Sequence, residues 1–209
     1  MIVYVTQRVD TVEGYLERRD CLDQRWVDCL RSLAANACVL AVPNAPANLA
    51  QMLQQVPPAF VVLSGGNDLP QMPAHTALAP ERDVVEAQLF AYARKQTLPL
   101  LAACRGFQHL NVLLGGGLAE CSGHVRAEHV VKPPLPSTET GFRVNSYHHA
   151  GFRPDELGTG LTPRLMAPDG TVEAASLFGL PWLGVMWHPE RDNPDHALQL
   201  DYLRRFFSL

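Results

Sequence analysis

Long apolar runs are missing from this sequence. No segment reaches the ~20 consecutive apolar residues that a membrane-spanning helix needs, and the opening MIVYVTQRVD lacks the basic leader and apolar core of a secretory signal. Runs of lysine and arginine long enough to follow a phosphate backbone are missing too, and the net charge is only -4. We therefore expect a soluble, cytoplasmic protein that binds neither membranes nor nucleic acid.

Paired cysteines and metal-ligand motifs are also absent. The five cysteines are an odd number without paired spacing, which favours a reducing compartment over a disulfide framework. His124, His129, His148 and His149 lack the tight spacing of a zinc motif. The sequence therefore predicts no metal site and no cofactor.

What is present is the composition of one soluble domain, spanning residues 1–209, with 47% hydrophobic and 18% charged residues. Short apolar runs alternate with segments of helical length. The predicted strands are Ile2–Val5, Cys38–Val42, Ala59–Leu63, Leu98–Ala103 and Leu183–Trp187, and the predicted helices are Cys21–Asn36, Ala47–Gln55, Glu81–Gln96, Arg105–Leu114 and Asp195–Phe207. The alternation predicts an α/β fold, a mostly parallel sheet with helices on both faces. Residues 118–176 are expected to form a small β-rich insertion before the last strand.

Three polar patches follow predicted buried strands directly. They are Ser64-Gly65-Gly66, Cys104-Arg105-Gly106 and His188-Pro189-Glu190. Ligands of open parallel sheets bind outside the carboxyl ends of the strands. We therefore expect the three patches to meet at one edge of the sheet although they are far apart in the chain.

Cys104 is the predicted nucleophile. It lies where a strand turns abruptly into a helix, and a helix N-terminus favours the thiolate that attacks an acyl carbon. The alternative is a buried structural cysteine, the usual fate of a free cysteine. That alternative is expected for the other four, Cys21, Cys29, Cys38 and Cys121.

His188 and Glu190 are the predicted partners of the nucleophile. The imidazole can take the thiol proton and return one to the leaving amine. Two positions along an extended segment, Glu190 projects to the same side and can hold the tautomer of the imidazole. Alone, the tripeptide His188-Pro189-Glu190 would be an ordinary strand end. Because it follows a buried final strand and Cys104 is present, it predicts a catalytic triad of Cys104, His188 and Glu190.

Backbone N–H groups near the nucleophile are predicted to bind the oxyanion. Gly66 and Arg105 lie at neighbouring strand ends, and Gly65 and Gly66 permit the torsions that turn an N–H inward. The alternative is that the two glycines only form a turn.

With these residues in hand, the chain resembles the class I glutamine amidotransferase-like superfamily, and more narrowly the γ-glutamyl-γ-aminobutyrate hydrolases and γ-glutamyl peptidases. The resemblance implies a flavodoxin-like sheet, a Cys–His–Glu triad and release of glutamate through a γ-glutamyl thioester. It also implies that Gln108, Ser146, Tyr147 and His148 hold the glutamate part of the substrate. The matching motifs are LSGGNDLP (63–70), PLLAACRGFQHLNVLLGGGL (99–118), VNSYHHAG (144–151), APDGTVEA (167–174) and LGVMWHPE (183–190).

Two features depart from that pattern. Ala102 stands where the superfamily usually has glycine, and we expect so small a residue to be tolerated. The charged segment 15–23 is similar to that of short relatives from capsule biosynthesis, which hydrolyse a γ-glutamyl adduct of a cytidine-diphosphate amidate. Arg18 and Arg19 would then contact the diphosphate. The alternative is that they lie on a solvated helix N-terminus.

Three functions follow from the sequence. The first is a stand-alone hydrolase of a small-molecule γ-glutamyl amide. The second is a glutaminase subunit that supplies ammonia to a separate synthase partner. The third is a catalytically silent regulatory protein on the same fold. The leaving amine, a synthase partner and a homodimer all remain open.

Overall fold

The computed structural model of the protein describes residues 1–73, 75–134 and 141–209. The helices are Arg25–Leu33 (α1), Pro46–Gln55 (α2), Pro80–Gln96 (α3), Arg105–Leu113 (α4) and His196–Phe207 (α5), with a short 3₁₀ turn at Pro154–Glu156. The strands are Ile2–Thr6 (β1), Arg8–Val12 (β2), Glu17–Cys21 (β3), Cys38–Val42 (β4), Phe60–Leu63 (β5), Leu100–Ala103 (β6), Ala119–Glu120 (β7), Val125–Val131 (β8), Phe142–Tyr147 (β9), Ala150–Gly151 (β10), Leu161–Met166 (β11), Val172–Leu177 (β12) and Trp182–Val185 (β13).

The central sheet is mostly parallel, as predicted. Its seven strands lie in the order β11-β12-β13-β6-β5-β1-β4. The five from β13 to β4 pair in parallel, whereas β11 and β12 pair antiparallel at one edge. The insertion is therefore only partly a separate structure, because its last two strands extend the main sheet.

Helices cover both faces of the sheet, so the inner strands β5, β6 and β13 are apolar along their whole length. Successive side chains of a strand point to opposite faces. Val3 and Val5 of β1 thus pack in the core beneath α1 and α5, while Tyr4 packs in the core beneath α2, α3 and α4. The predicted arrangement of layers is confirmed. Ala102, which stands where glycine is usual, is fully buried in the same core as Tyr4.

The helix predicted at Cys21–Asn36 is shorter in the structure, where it spans Arg25–Leu33. Cys21 instead ends the strand Glu17–Cys21, which pairs antiparallel with Arg8–Val12. The side chain of Asn67 fixes the hairpin to the loop after β5, since it bonds both the N–H (2.8 Å) and the carbonyl (2.9 Å) of Val9. This pairing overrides the local helical pattern.

The rest of the insertion contains the β8–β9 hairpin and the small β7–β10 pair. Residues 135–140, which include the end of the proline-rich stretch 132–137, lie outside the described residues. No helix in the described part of the chain is long and apolar enough to cross a membrane.

Among the four cysteines other than Cys104, Cys21 and Cys121 are half-buried and Cys38 is exposed. Only Cys29 of these four is buried, with its thiol 3.5 Å from the carbonyl oxygen of Pro189. The expectation of four buried structural cysteines is therefore wrong for Cys21, Cys38 and Cys121.

Candidate active site

Cys104 lies on a sharp turn between β6 and α4. Its φ of 50° and ψ of -111° are strained for a residue with a Cβ. Such a turn raises a nucleophile above the carboxyl ends of the strands. Gly106 makes the turn feasible, since a Cβ at this position would lie 2.1 Å from the carbonyl oxygen of Leu63. Helix α4 can therefore begin directly against the end of β5.

His188 and Glu190 follow β13 and contact each other. Nδ1 of His188 lies 2.8 Å from Oε1 of Glu190, and both side chains are buried. Asn145 of β9 holds the backbone of His188 from the other side. Its amide accepts from the His188 N–H at 2.9 Å and donates to the His188 carbonyl at 2.9 Å. Sequence reasoning missed this role of Asn145, because nothing in a single sequence pairs β9 with the residue after β13.

The imidazole of His188 is set up to carry a proton. Burial opposes the charged form, but the negative charge and hydrogen bonding of Cys104, together with those of Glu190, outweigh it. They raise the pKa of His188 to about 9. Because Glu190 occupies Nδ1, Nε2 is the nitrogen left to face the sulfur. The structure thus brings the three predicted residues together.

The loop after β5 is held by a buried arginine. The guanidinium of Arg82, in α3, donates to the carbonyl oxygens of Ser64 (2.6 Å), Gly65 (3.0 Å) and Gly66 (2.6 Å). In a trans peptide the N–H points opposite to the carbonyl. The N–H groups of Gly65 and Gly66 are therefore turned away from Arg82. The sequence did not reveal this role of Arg82, because its bonds to the loop after β5 are tertiary contacts.

Arg82 belongs to an ion network under the site. Its Nε lies 2.8 Å from the fully buried carboxylate of Glu86, which also pairs with Arg105 and with Nδ1 of His109. Burial opposes ionisation of Glu86, but the two arginines outweigh it and lower its pKa. The Arg105 side chain is thus engaged in the network, while its backbone lies at the start of α4.

Two cavities meet at His188. One, of about 200 Å³, contains Cys104, Gln108 and Tyr147. The other, of about 520 Å³, lies over the β2–β3 hairpin and α1 and is lined by Gly65, Glu190 and several charged residues. Both are lined by Gly66, His188 and Arg191. A substrate bound across His188 would therefore have one part in each cavity.

Three of the four residues predicted to hold glutamate line the smaller cavity. Gln108, Tyr147 and His148 do so, although the amide of Gln108 also donates to the carbonyl of Ala150 at 2.7 Å. Ser146 is fully buried, and its hydroxyl donates to the carbonyl of His124 at 2.7 Å. The side chain of Ser146 is therefore engaged within the protein, unlike the prediction.

Arg18 and Arg19, the predicted contacts of the leaving group, line neither of the two cavities. These residues lie on β3 rather than on a helix, and their side chains pair with Glu81 and Glu17. The larger cavity is lined instead by three other arginines, which sequence reasoning did not identify: Arg8, Arg25 and Arg191.

Known proteins similar to this chain include two named γ-glutamyl hydrolases. The γ-glutamyl-CDP-amidate hydrolase of Campylobacter jejuni is 29% identical over 100% of this chain and 98% of its own length. A γ-glutamyl-γ-aminobutyrate hydrolase of Escherichia coli O157:H7 is 28% identical over 85% of this chain and 81% of its own length. The crystal structure of a glutamine amidotransferase from Thermotoga maritima superposes with a TM-score of 0.63 at 17% identity, covering 99% of this chain and 91% of that one. That likeness establishes the fold alone. The sequence model of the peptidase C26 family matches residues 2–132 and 124–190, and the chain belongs to this family.

Proposed function

We propose that this protein is a hydrolase of γ-glutamyl amides in which Cys104 is the nucleophile, His188 the acid and base, and Glu190 the residue that orients His188. The observation that carries the proposal is the strained turn at Cys104 beside an imidazole whose pKa is raised to about 9. A proton on His188 next to a negatively charged sulfur is the state in which a cysteine hydrolase is ready to attack.

In the first half of the reaction the sulfur attacks the γ-carbonyl carbon of the substrate. The backbone N–H groups of Gly66 and Arg105 are the proposed donors to the oxyanion, with Gly65 beside them; such a donor is typically worth ~3–4 kcal/mol of barrier. His188 then gives its proton to the leaving amine, the C–N bond breaks, and a γ-glutamyl thioester remains on Cys104. The neutral amine departs into the larger cavity.

In the second half a water molecule replaces the amine. His188, now neutral, takes a proton from the water as its oxygen attacks the thioester carbon. The C–S bond breaks, glutamate leaves, and the sulfur and imidazole return to their charged forms. We assign the glutamyl part to the smaller cavity, where Gln108, Tyr147 and His148 line the wall.

For the amine, we propose a leaving group that carries a diphosphate. The larger cavity is bordered by Arg8, Arg25 and Arg191, and the stem of Arg8 packs against Gly66, with its Cβ and Cδ 3.0 Å from where a glycine Cβ would lie. Guanidinium groups are suited to phosphate oxygens. Similarity over the full length to a γ-glutamyl-CDP-amidate hydrolase supports a nucleoside diphosphate amidate. The proposal replaces Arg18 and Arg19 with these three arginines.

We also propose that residues 1–209 act as one domain in a reducing, cytoplasmic compartment. Continuous packing of α1 and α5 on the same sheet face supports one domain. All five cysteines are free thiols, which fits reducing conditions.

The test is glutamate release from a γ-glutamyl amide by the purified protein and by Cys104→Ala. We expect turnover by the native protein alone and its loss, by several orders of magnitude, in the variant. Unchanged turnover in Cys104→Ala would refute the nucleophile. If the native protein is nearly idle and a synthase partner activates its hydrolysis of free glutamine, the glutaminase-subunit hypothesis is the correct one.

A further inference from the structure

Three histidines from separate parts of the insertion converge on one buried carboxylate. Glu173 of β12 is fully buried. Its Oε1 lies 3.3 Å from Nδ1 of His124, 3.2 Å from Nε2 of His129 and 3.5 Å from Nε2 of His148. His124 precedes β8, His129 lies on it, and His148 follows β9. None of these groups belongs to the triad.

The carboxylate lacks the hydrogen bonds that a buried charge normally has. Neither oxygen of Glu173 has an aligned hydrogen-bond partner among the described residues, and the same holds for Nε2 of His129 and of His148. A buried carboxylate needs a positive charge close to it, so native proteins pair such groups with a cationic side chain or use them to bind a cation. The cluster therefore points to a missing positive charge at its centre.

The outer nitrogens of two imidazoles already have partners. Nδ1 of His148 lies 3.1 Å from the carbonyl oxygen of Ala150, and Nε2 of His124 lies 3.1 Å from Oδ2 of Asp169. In neutral imidazoles, a proton on each outer nitrogen leaves a lone pair on the inner one, directed at Glu173. Carboxylate or carbonyl partners on the far nitrogen are typical of metal-bound histidines, because they fix the tautomer and the ring orientation.

The distances are those that two ligands of one shared ion would have. Tetrahedral ligands at 2.0–2.1 Å from zinc are roughly 3.3 Å apart, which matches the 3.2 and 3.3 Å from Glu173 to His129 and His124. We propose that His124, His129 and Glu173, whose ligand atoms lie within 4.8 Å of one another, form a binding site for a divalent transition-metal ion, with His148 next to it at 3.5 Å from Glu173. Imidazole and carboxylate ligands suit zinc(II).

Such an ion would tie the insertion to the main sheet. Glu173 is on β12 of the sheet, while the histidines belong to the β8–β9 hairpin and its flanks. His148 also lines the smaller cavity, and its partner Ala150 accepts a hydrogen bond from Gln108. The ion would thus fix one wall of the cavity without taking part in the chemistry. Short sequence spacing does not reveal this site, because β12 is far from the histidines in the chain.

The test is metal binding by the full-length protein carrying Cys104→Ser, so that the active-site thiol cannot bind the ion. Chelator-treated protein is titrated with zinc(II) in competition with a chromophoric chelator. We expect one tightly bound equivalent and a Tm rise of roughly 5–10 °C at a hundredfold excess over Kd. The cobalt(II) form should show the intense d–d bands of a tetrahedral site without a sulfur-to-metal charge-transfer band.

Matched variants locate the site. Glu173→Gln keeps the shape and removes the charge, His129→Asn removes one ligand, and His75→Asn alters an exposed histidine outside the cluster. We expect the first two to lose binding by at least tenfold and the third to retain it. Absence of a bound equivalent in the Cys104→Ser protein would overturn the proposal even if the cluster variants fail to fold. Binding unchanged in Glu173→Gln, or a thiolate band pointing to Cys121, would overturn it as well.

Discussion

Nδ1 of His188 lies 2.8 Å from Oε1 of Glu190, with 6% of the His188 side chain and 2% of the Glu190 side chain exposed. This contact fixes the tautomer of the imidazole, so that Nε2 faces Cys104. It also contributes to the raised pKa of His188, together with the charge on Cys104. The same pair therefore sets both the direction of proton transfer and the pH range in which it operates.

The first prediction concerns the loss of activity at alkaline pH, the alkaline limb of the profile of kcat/KM against pH. The imidazolium must protonate the leaving amine, so kcat/KM should fall as pH rises through about 9, the raised pKa of His188. Glu190→Gln removes a charge that raises this pKa, so the limb should move to lower pH by roughly one unit. It should also lower kcat by ~10²–10⁴. Profiles of kcat/KM against pH check this. A limb that stays in place or moves upward in Glu190→Gln would contradict the role of the carboxylate.

The second prediction concerns the space beside His188. A Cβ on Gly65 would lie 2.5 Å from Cε1 of the imidazole, so Gly65→Ala must displace the ring. Displacing a catalytic group by about 1 Å typically costs ~100-fold in rate. We expect kcat to fall by about that factor while Tm changes little. Gly117→Ala is the control, because its Cβ would lie at an ordinary 3.8 Å from Glu156. Equal activities of the two variants would contradict the placement of His188.

The sequence predicted the triad because each member follows an inner strand of a parallel sheet. Continuous apolar runs such as 60–63 and 100–103 identify such strands by themselves, and the rule for strand ends then places Cys104 near His188. Pairings between distant segments were not predictable in this way. Three features depend on contacts that leave no local pattern in the sequence. They are the β2–β3 hairpin, the hydrogen bonds of Asn145 to the backbone of His188, and the grouping of His129 with Glu173.

The third prediction separates loop positioning from stability. Arg82→Met removes the donor to the carbonyls of Ser64, Gly65 and Gly66, which frees the N–H groups of the loop to turn. We expect kcat to fall by ~10–100-fold, less than the loss of a whole oxyanion donor would cause.

Glu86→Gln is the comparison variant for Arg82→Met. It breaks the buried ion network and should destabilise the fold by roughly 3–5 kcal/mol, yet it leaves the contacts of Arg82 with the loop. Tm and kcat of the folded fractions are the measurements. Similar kcat values in both variants would show that Arg82 acts only through stability.

The last prediction concerns the leaving group. Arg8 and Arg25 line the larger cavity, where each is now paired with a neighbouring aspartate, Asp10 and Asp23. A diphosphate would compete for the same guanidinium groups and gain charge-assisted hydrogen bonds worth ~1.5–3 kcal/mol each. Arg25→Met and Arg8→Met should therefore raise KM by roughly 10–100-fold for a γ-glutamyl nucleoside diphosphate amidate. For a γ-glutamyl alkylamide, which has no phosphate, KM should stay unchanged.

Two arginines of the neighbouring strand provide the controls for that comparison. Arg18 and Arg19 are both exposed and paired with Glu81 and Glu17, and neither lines the cavity, so Arg18→Met and Arg19→Met should affect neither substrate. Because phosphate contacts of exposed arginines weaken with ionic strength, the preference for the diphosphate substrate should also fall as salt is added. An equal rise of KM for both substrates in Arg25→Met would mean that the cavity is not selective for phosphate. An effect of Arg18→Met as large as that of Arg25→Met would place the leaving group on the hairpin instead.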